Sequence, residues 1–371
     1  MAHTKTQSVK SRSVPVLLAA VLAGLALVAS ACGSDTNKSK TAKASGTTAK
    51  VSCASGTISG AGATFPATIV QQWIKDYGAA CPGATVNYQP VGSGAGIQQF
   101  SAGTVDFGAS DAVMKPEEQA TAEAKGGPVM HVPWTAGAVA VMFNISGVKE
   151  LKLSGETIAG IFAGTITKWN DPKIKAENAG ATLPETGIQV IHRSDGSGTT
   201  AVFTSYLTTV APAVWTAGAA KDVPWPTGQG AKGSDGVTAA VKQTDGAIGY
   251  AEQSYAAANS LSTVDVKNEA GSYVKPSAKG VSAALASAEI PADLKVKINY
   301  KPTEAAAYPI STTTWALVFQ KYGDAAKGAL VKSFLTYALG AGQDAAERLY
   351  YAPLPKDLQT KAQAAVASLQ T

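Results

Sequence analysis

One local grammar, used repeatedly, constrains this chain more than any other feature: a short β-type run, a glycine turn, and the first turn of an amphipathic helix. Thr57 to Thr64 reads as a strand passing into a glycine turn, and Pro66 opens a helix with Val70, Trp73, Ile74 and Tyr77 along one face. Proline suits the first helical position because the N–H it lacks would have no partner there. Thr85 to Gln89 alternates as a second strand, Gly92 to Gly96 turns, and Ile97 with Phe100 begins a second helix. Val105 to Ser110 is a third strand, with Asp111 at its C-terminal end and a further helix from Pro116. Strands alternating with helices over this length predict an α/β fold on a parallel sheet, whose ligands collect beyond the carboxyl ends of the strands. Thr64, Ser93 and Asp111 all fall at that edge. Singly, each reads as a helix cap or turn residue. Their common position is what points to a site.

The most polar instance of the grammar is Arg193-Ser194-Asp195-Gly196-Ser197-Gly198-Thr199-Thr200. It follows a strand-like run from Ile188 to His192 and precedes a helix with Val202, Phe203, Tyr206 and Leu207 on one face. A glycine-rich turn between strand and helix lets N–H groups and hydroxyls point into one concavity, where the helix dipole favours negative charge. Arg193 adds a charged fork suited to oxyanions. Asp195 can hold that fork in place, or cap the turn. The octapeptide alone is equally readable as a capped turn bearing a surface arginine.

Elsewhere the pattern is of packing. Val129 to Trp134 follows Gly126-Gly127-Pro128, Ala138 to Phe143 is a buried-type strand, and the region of Gly137 is where the chain is expected to enter a second lobe. That lobe holds a helix capped by Ser154, a turn from Lys168 to Pro172 with Trp169 as packing, a long glycine-rich loop from Pro224 to Gly236, and a tight strand from Gly246 to Tyr250. Ile310 to Phe319 is a further strand, and helices near Leu330 to Ala338 and Lys356 to Leu369 finish the body.

The first fifty residues differ in kind. A basic start, an apolar run from Val14 to Val28 and the small residues Ala29-Ser30-Ala31 read as a secretion signal over residues 1–31, with the run too short for a comfortable membrane span. Cys32 after small residues resembles a bacterial lipobox, with Ala29 where leucine is usual; in that motif the cysteine is lipidated and becomes the first residue of the mature chain. An ordinary cleaved signal is the alternative. Three cysteines in an exported chain leave one unpaired, and if Cys32 carries lipid, Cys53 and Cys81 are free to bridge. Residues 33–52 are mostly small and polar with no aromatic side chain, and read as a flexible tether. Seven basic residues and one acidic residue precede Cys53, so of 31 basic and 26 acidic residues the body keeps 24 and 25. The net charge of +5 therefore belongs to the leader and tether, and a near-neutral body argues against nucleic-acid binding. No Cys and His cluster suggests a metal, and no cofactor is expected.

With Gly60-Ala61-Gly62-Ala63-Thr64-Phe65-Pro66, Val105 to Asp111 and Arg193 to Thr200 in order, the chain resembles the substrate-binding proteins of bacterial phosphate ABC transporters. The resemblance spans the body from about Thr57 onward. It implies a type II periplasmic-binding-protein fold: two lobes, joined by two crossovers, with inorganic phosphate in the cleft. Lobe I would comprise residues 53–135 and 310–371, and lobe II residues 136–309, with the second crossover near Pro309. By motif position, Thr64 and Phe65 would bind phosphate at one helix start and Ser93 at the next, and Asp111 would meet the phosphate's own proton. Arg193, Ser197, Gly198 and Thr199 would complete the set from the second lobe, with Asp195 behind Arg193. Only the glycine arrangement between Gly92 and Gly96 departs from the pattern. The resemblance further implies a lipid-anchored monomer on the outer face of the cell membrane that hands phosphate to permease subunits and catalyses nothing.

An aspartate in an anion site has a chemical reason. Phosphate keeps a proton near neutral pH and can donate it to a carboxylate, whereas ionised sulfate can only accept. An aspartate facing sulfate leaves like charges opposed and two buried acceptors unpaired. The chief rival reading is an exported phosphatase or other serine hydrolase, with Gly108-Ala109-Ser110-Asp111-Ala112 one residue short of a nucleophile elbow and His131 or His192 as base. A carboxylate beside the nucleophile opposes it. A binding protein for another oxyanion is the second rival.

Overall fold

The computed structural model describes residues 51–371. The secretion signal, Cys32 and all but the last residues of the tether lie outside the described residues. In chain order the elements are β1 (Gly56–Gly62), α1 (Ala67–Ala80), β2 (Ala84–Pro90), α2 (Ser93–Ala102), β3 (Phe107–Ser110), α3 (Pro116–Gly126), β4 (Val129–Asn144), β5 (Lys152–Leu153), α4 (Gly155–Phe162) and α5 (Pro172–Glu177). There follow β6 (Gln189–Arg193), α6 (Gly198–Val210), β7 (Gln229–Ala231), α7 (Gly233–Gln243), β8 (Ala247–Glu252), α8 (Gln253–Ala258), β9 (Ser262–Thr263), β10 (Asp265–Lys267), β11 (Tyr273–Val274), α9 (Ala278–Leu285), β12 (Ser311–Phe319), α10 (Ala325–Leu339) and α11 (Lys356–Ala367). Among the described residues no helix is long and apolar enough to cross a membrane.

The main sheet runs β2-β1-β3-β12-β4-β8-β6-β7, with β9 beside β4; β11, β10 and β5 form a small second sheet. The sheet is mixed, not parallel throughout as the alternation suggested. β1 pairs in parallel with β2 and β3, and β6 with β7 and β8, but β12 is antiparallel to both β3 and β4, and β4 to β8. The reason is connectivity. β4 pairs with β12 through Ala138 and with β8 from Val139, so one strand serves both halves of the sheet. β12 brings the chain back beside β4 and must run against it. Val129 to Trp134 and Ala138 to Phe143, read from sequence as two strands, are the two ends of this one strand. Its residues from His131 to Phe143 are all buried, and so is every residue of β12, because helices cover both faces.

Helix starts follow local chemistry. Pro116 occupies the first turn of α3, and the Lys115 N–H donates to Glu118 at 2.9 Å, which returns the chain on itself as a capping box does. Ser154 and Ser197 cap α4 and α6 through their hydroxyls. Pro66 stands one residue before α1, at its cap. α2 begins at Ser93, so Gly94 and Gly96 lie within its first turn and not in a loop before it. The stretch from Pro224 to Gly236, read as loop, contains β7 and the start of α7. Trp169 is fully buried and donates to the Gly246 carbonyl at 3.0 Å, a packing role as expected.

Candidate functional site

Four helix starts meet at one point. Those of α1 and α2 follow β1 and β2; those of α6 and α7 follow β6 and β7. The Gly94 N–H donates to the Gly196 carbonyl at 2.8 Å, and the Thr64 and Ser234 hydroxyls lie 2.7 Å apart. A methyl group on Gly198 would come within 2.5 Å of the Ser93 hydroxyl and 2.7 Å of the Asp111 nitrogen. Only glycine permits that approach. Gly92, at φ 93°, is needed for both reasons: a side chain there would be strained and would meet Asp195 Oδ2 at 2.3 Å. The positive ends of four helices thus converge on one buried volume, a setting for an anion.

Thr64, Phe65, Ser93, Asp111, Arg193, Ser197 and Thr199 are each at most 3% exposed. Arg193 is gripped by Asp195, with Nε to Oδ1 at 2.7 Å and Nη2 to Oδ2 at 2.5 Å, and its Nη1 donates to the Thr64 hydroxyl at 3.2 Å. Asp195 also accepts from the Gly233 N–H at 2.9 Å. Burial would raise the Asp195 carboxyl, but the hydrogen bonds and charge of Arg193 outweigh it and hold it below the usual range. The second reading of Asp195, a turn cap, gives way to the first: it orients the arginine.

Asp111 lies just beyond β3. Its Oδ1 accepts from the Thr314 hydroxyl at 2.9 Å and its Oδ2 from the Thr199 hydroxyl at 3.3 Å, while its N–H donates to Ser93 Oγ at 3.3 Å. Burial pushes its carboxyl up to about 6, against the pull of Thr314, Arg193, Thr199 and Ser93. A cavity of about 280 Å³ opens beside it, walled in part by Val202, Ser205, Tyr300, Thr312 and Trp315.

Three tyrosines fix the turn before α1. Tyr88, Tyr255 and Tyr351 donate to the carbonyls of Ala63, Thr64 and Phe65, each at 2.6 Å. A carbonyl held this way sets the plane of its peptide and hence the direction of the next N–H. Phe65 itself packs edge-on against Tyr351, so its share in any ligand is its backbone. Ser197 caps α6 by accepting from the Thr200 N–H at 3.0 Å, and its own N–H donates to the Lys221 carbonyl at 2.8 Å.

Every residue expected at the site is therefore brought to one place. Sequence reasoning missed Ser234 and Thr314. Ser234 had a signal, since Gln229 to Gly236 repeats the strand, glycine turn and helix grammar; Thr314, one of four consecutive hydroxyl residues in a strand, had none. The residues nominated for catalysis are otherwise engaged. The Ser110 hydroxyl donates to the Ala112 carbonyl at 2.6 Å, and His131 Nε2 accepts from the Met114 N–H at 3.2 Å. His192 stacks on Trp225 at 4.7 Å. Among the described residues, no three His, Cys, Asp or Glu side chains gather as metal ligands would.

Comparison with known proteins agrees with this geometry. The profile of the PBP superfamily domain matches residues 47–341. The phosphate-binding protein PstS 3 of Mycobacterium tuberculosis is 38% identical over 358 residues, covering 94% of this chain and 97% of its own. The phosphate-binding protein PstS of Xylella fastidiosa is 40% identical over 317 residues, covering 84% and 85%. Among solved structures, a high-affinity periplasmic phosphate-binding protein with phosphate bound superposes with a TM-score of 0.70 at 26% identity, over 83% of this chain and 93% of that one. Identity at this level along nearly the full length of both chains means that the chain belongs to the PstS family of phosphate-binding proteins.

Proposed function

We propose that this protein is an extracytoplasmic receptor that binds inorganic phosphate and delivers it to the permease subunits of an ABC importer, and that it is not an enzyme. One observation carries the reading: a buried arginine and a buried aspartate stand together where four helix starts converge. Arginine and helix ends supply donors to an oxyanion; the aspartate supplies an acceptor, and only an oxyanion that keeps a proton has a use for it. The ligand set is Thr64, Phe65, Ser93, Asp111, Arg193, Ser197, Gly198 and Thr199, to which we add Ser234, with Asp195 as the clamp on Arg193. Lobe I comprises residues 53–135 and 310–371 and lobe II residues 136–309. The change of β4 partners at Ala138 and Val139 supports that division. Cys32 carries the lipid that holds the monomer at the outer face of the membrane, and the likeness to a periplasmic phosphate-binding protein supports the export this requires.

The reading is tested by calorimetric titration of the body, freed of carried-over phosphate, with phosphate and with sulfate. Phosphate is expected to bind one to one and to be recovered unchanged, with sulfate weak. Asp111→Asn, which can donate to sulfate, is expected to narrow the preference more than it lowers oxyanion binding overall. Equal losses for both anions would overturn the role given to Asp111.

A further inference from the structure

Thr314 reaches Asp111 by a specific piece of strand geometry. β12 pairs Thr314 with Thr135 but Trp315 with Pro133, so Trp134 is an extra residue and the ladder bulges there. Pro133 has no N–H to give a regular ladder, and a bulge re-aims the side chains beside it. Trp315 faces Ser110, the last residue of β3, so Thr314 comes opposite Asp111. Its hydroxyl has one hydrogen and two acceptors in reach: Asp111 Oδ1 at 2.9 Å and the Ser110 carbonyl at 3.2 Å.

We propose that Thr314 is a specificity-determining residue, whose hydroxyl holds Asp111 as an acceptor and so enforces selection of an oxyanion that carries a proton. This rests on the phosphate reading given above and deepens it. While Asp111 is ionised, the shorter, charge-assisted bond takes the Thr314 hydrogen. Should Asp111 take up a proton on Oδ2, the oxygen that Thr314 does not hold, it becomes a donor that ionised sulfate can use. The site's selectivity therefore depends on keeping that proton off. Of the groups facing Asp111, Arg193 from β6 favours the ionised form; Tyr88 from β2 and Tyr255 from α8 are phenols that burial keeps neutral; Ser93 and Thr199 do not titrate near neutrality. Burial raises the carboxyl to about 6, and among the opposing contacts that of Thr314 is the largest. Thr314 acts on the ligand through Asp111.

The test is the ratio of phosphate to sulfate affinity in wild type, Thr314→Val and Thr314→Ser, followed from about pH 6 to pH 9. Thr314→Val keeps the shape and removes the donor. Its ratio is expected to fall about tenfold below wild type, as one unit of upward shift at Asp111 implies, with the loss of phosphate affinity largest near pH 6 and gone by pH 9, and with Thr314→Ser following wild type. Thermal unfolding checks that the valine variant folds; if it does not, Thr314→Ala removes the same hydroxyl. A ratio unchanged at every pH overturns the proposal, as does a loss of phosphate affinity that is the same at every pH, since a merely structural role would produce one. Wild-type protein that binds neither anion would overturn the phosphate reading and this inference with it, and is distinguished by needing no variant.

Discussion

Glu252 closes β8 opposite Val139, where β4 passes from one half of the sheet to the other, and it is fully buried. Its Oε2 accepts from the Ser254 N–H at 2.9 Å and from the Ser254 hydroxyl, but its Oε1 has no partner. Burial lifts its carboxyl to about 8, despite the Ser254 hydrogen bonds. The folded value lies above the unfolded one, so between about pH 4.5 and 8 the unfolded chain has lost a proton that the native state retains. Stability from this residue is complete below that window and is lost as pH rises through it. Glu252→Gln, neutral at every pH, is expected to match wild type near pH 4.5 and to exceed it by about 3 to 5 kcal/mol above pH 8, measured by denaturant unfolding at both ends. A difference that does not change with pH would sink the assignment. Residues such as Asp111 and Arg193 were legible in the sequence, because an unusual charge stood where strand ends meet helix starts. Glu252 and Thr314 were not: what each does is decided by partners far along the chain, the pairing with Val139 that buries one and the bulge opposite Pro133 for the other.

At the scale of elements, the repeated grammar named the helices α1, α2, α3 and α6 from local signals but misplaced the start of α2. Gly94 and Gly96 were read as a turn, and their reason is different: a methyl group on Gly96 would lie 2.3 Å from Gly62 Cα, and one on Gly94 3.1 Å from Gly196. These glycines let backbones approach, a three-dimensional need that looks identical to a turn in one dimension. The expected bridge between Cys53 and Cys81 is formed, with Cα atoms 5.5 Å apart and 28 residues of separation. It ties the segment before β1 to the residue that closes α1, and outside the cytoplasm it persists. Closing a loop of that length restricts the unfolded chain by about 3 to 4 kcal/mol. Replacing both cysteines by serine should lower unfolding free energy by about that amount. Phosphate affinity should barely move, because the turn at Thr64 and Phe65 is fixed by three tyrosines and not by the bridge. A large loss of affinity in calorimetry, with the fold intact, would contradict that division of labour.

For the whole molecule, the two lobes proposed above meet at more than the ligand. Lys221, in the link between α6 and β7, places its Nζ 2.5 and 2.6 Å from the two carboxylate oxygens of Glu118 on α3, with side chains 12% and 24% exposed. The same Lys221 accepts the Ser197 N–H through its carbonyl, so the residue that grips the opposite lobe also supports the start of the anion cradle. Neither end was marked in the sequence; the two stand 103 positions apart, and the pairing exists only once the chain between them has folded. A partly buried pair in contact through both oxygens contributes more than an exposed one, on the order of 1 to 2 kcal/mol, and because it joins the two lobes that contribution is expected to fall on their closure. Lys221→Met keeps the carbonyl and most of the stem while removing the charge. It is expected to weaken phosphate binding about five- to thirtyfold through faster release, with little change in the stability of the ligand-free protein. Salt provides the control: the ratio of wild-type to variant affinity should shrink as ionic strength rises, because only wild type has the pair to screen. Stopped-flow release at low and high salt reads both effects. Equal release rates in the two proteins at low salt would show that the contact forms without biasing closure.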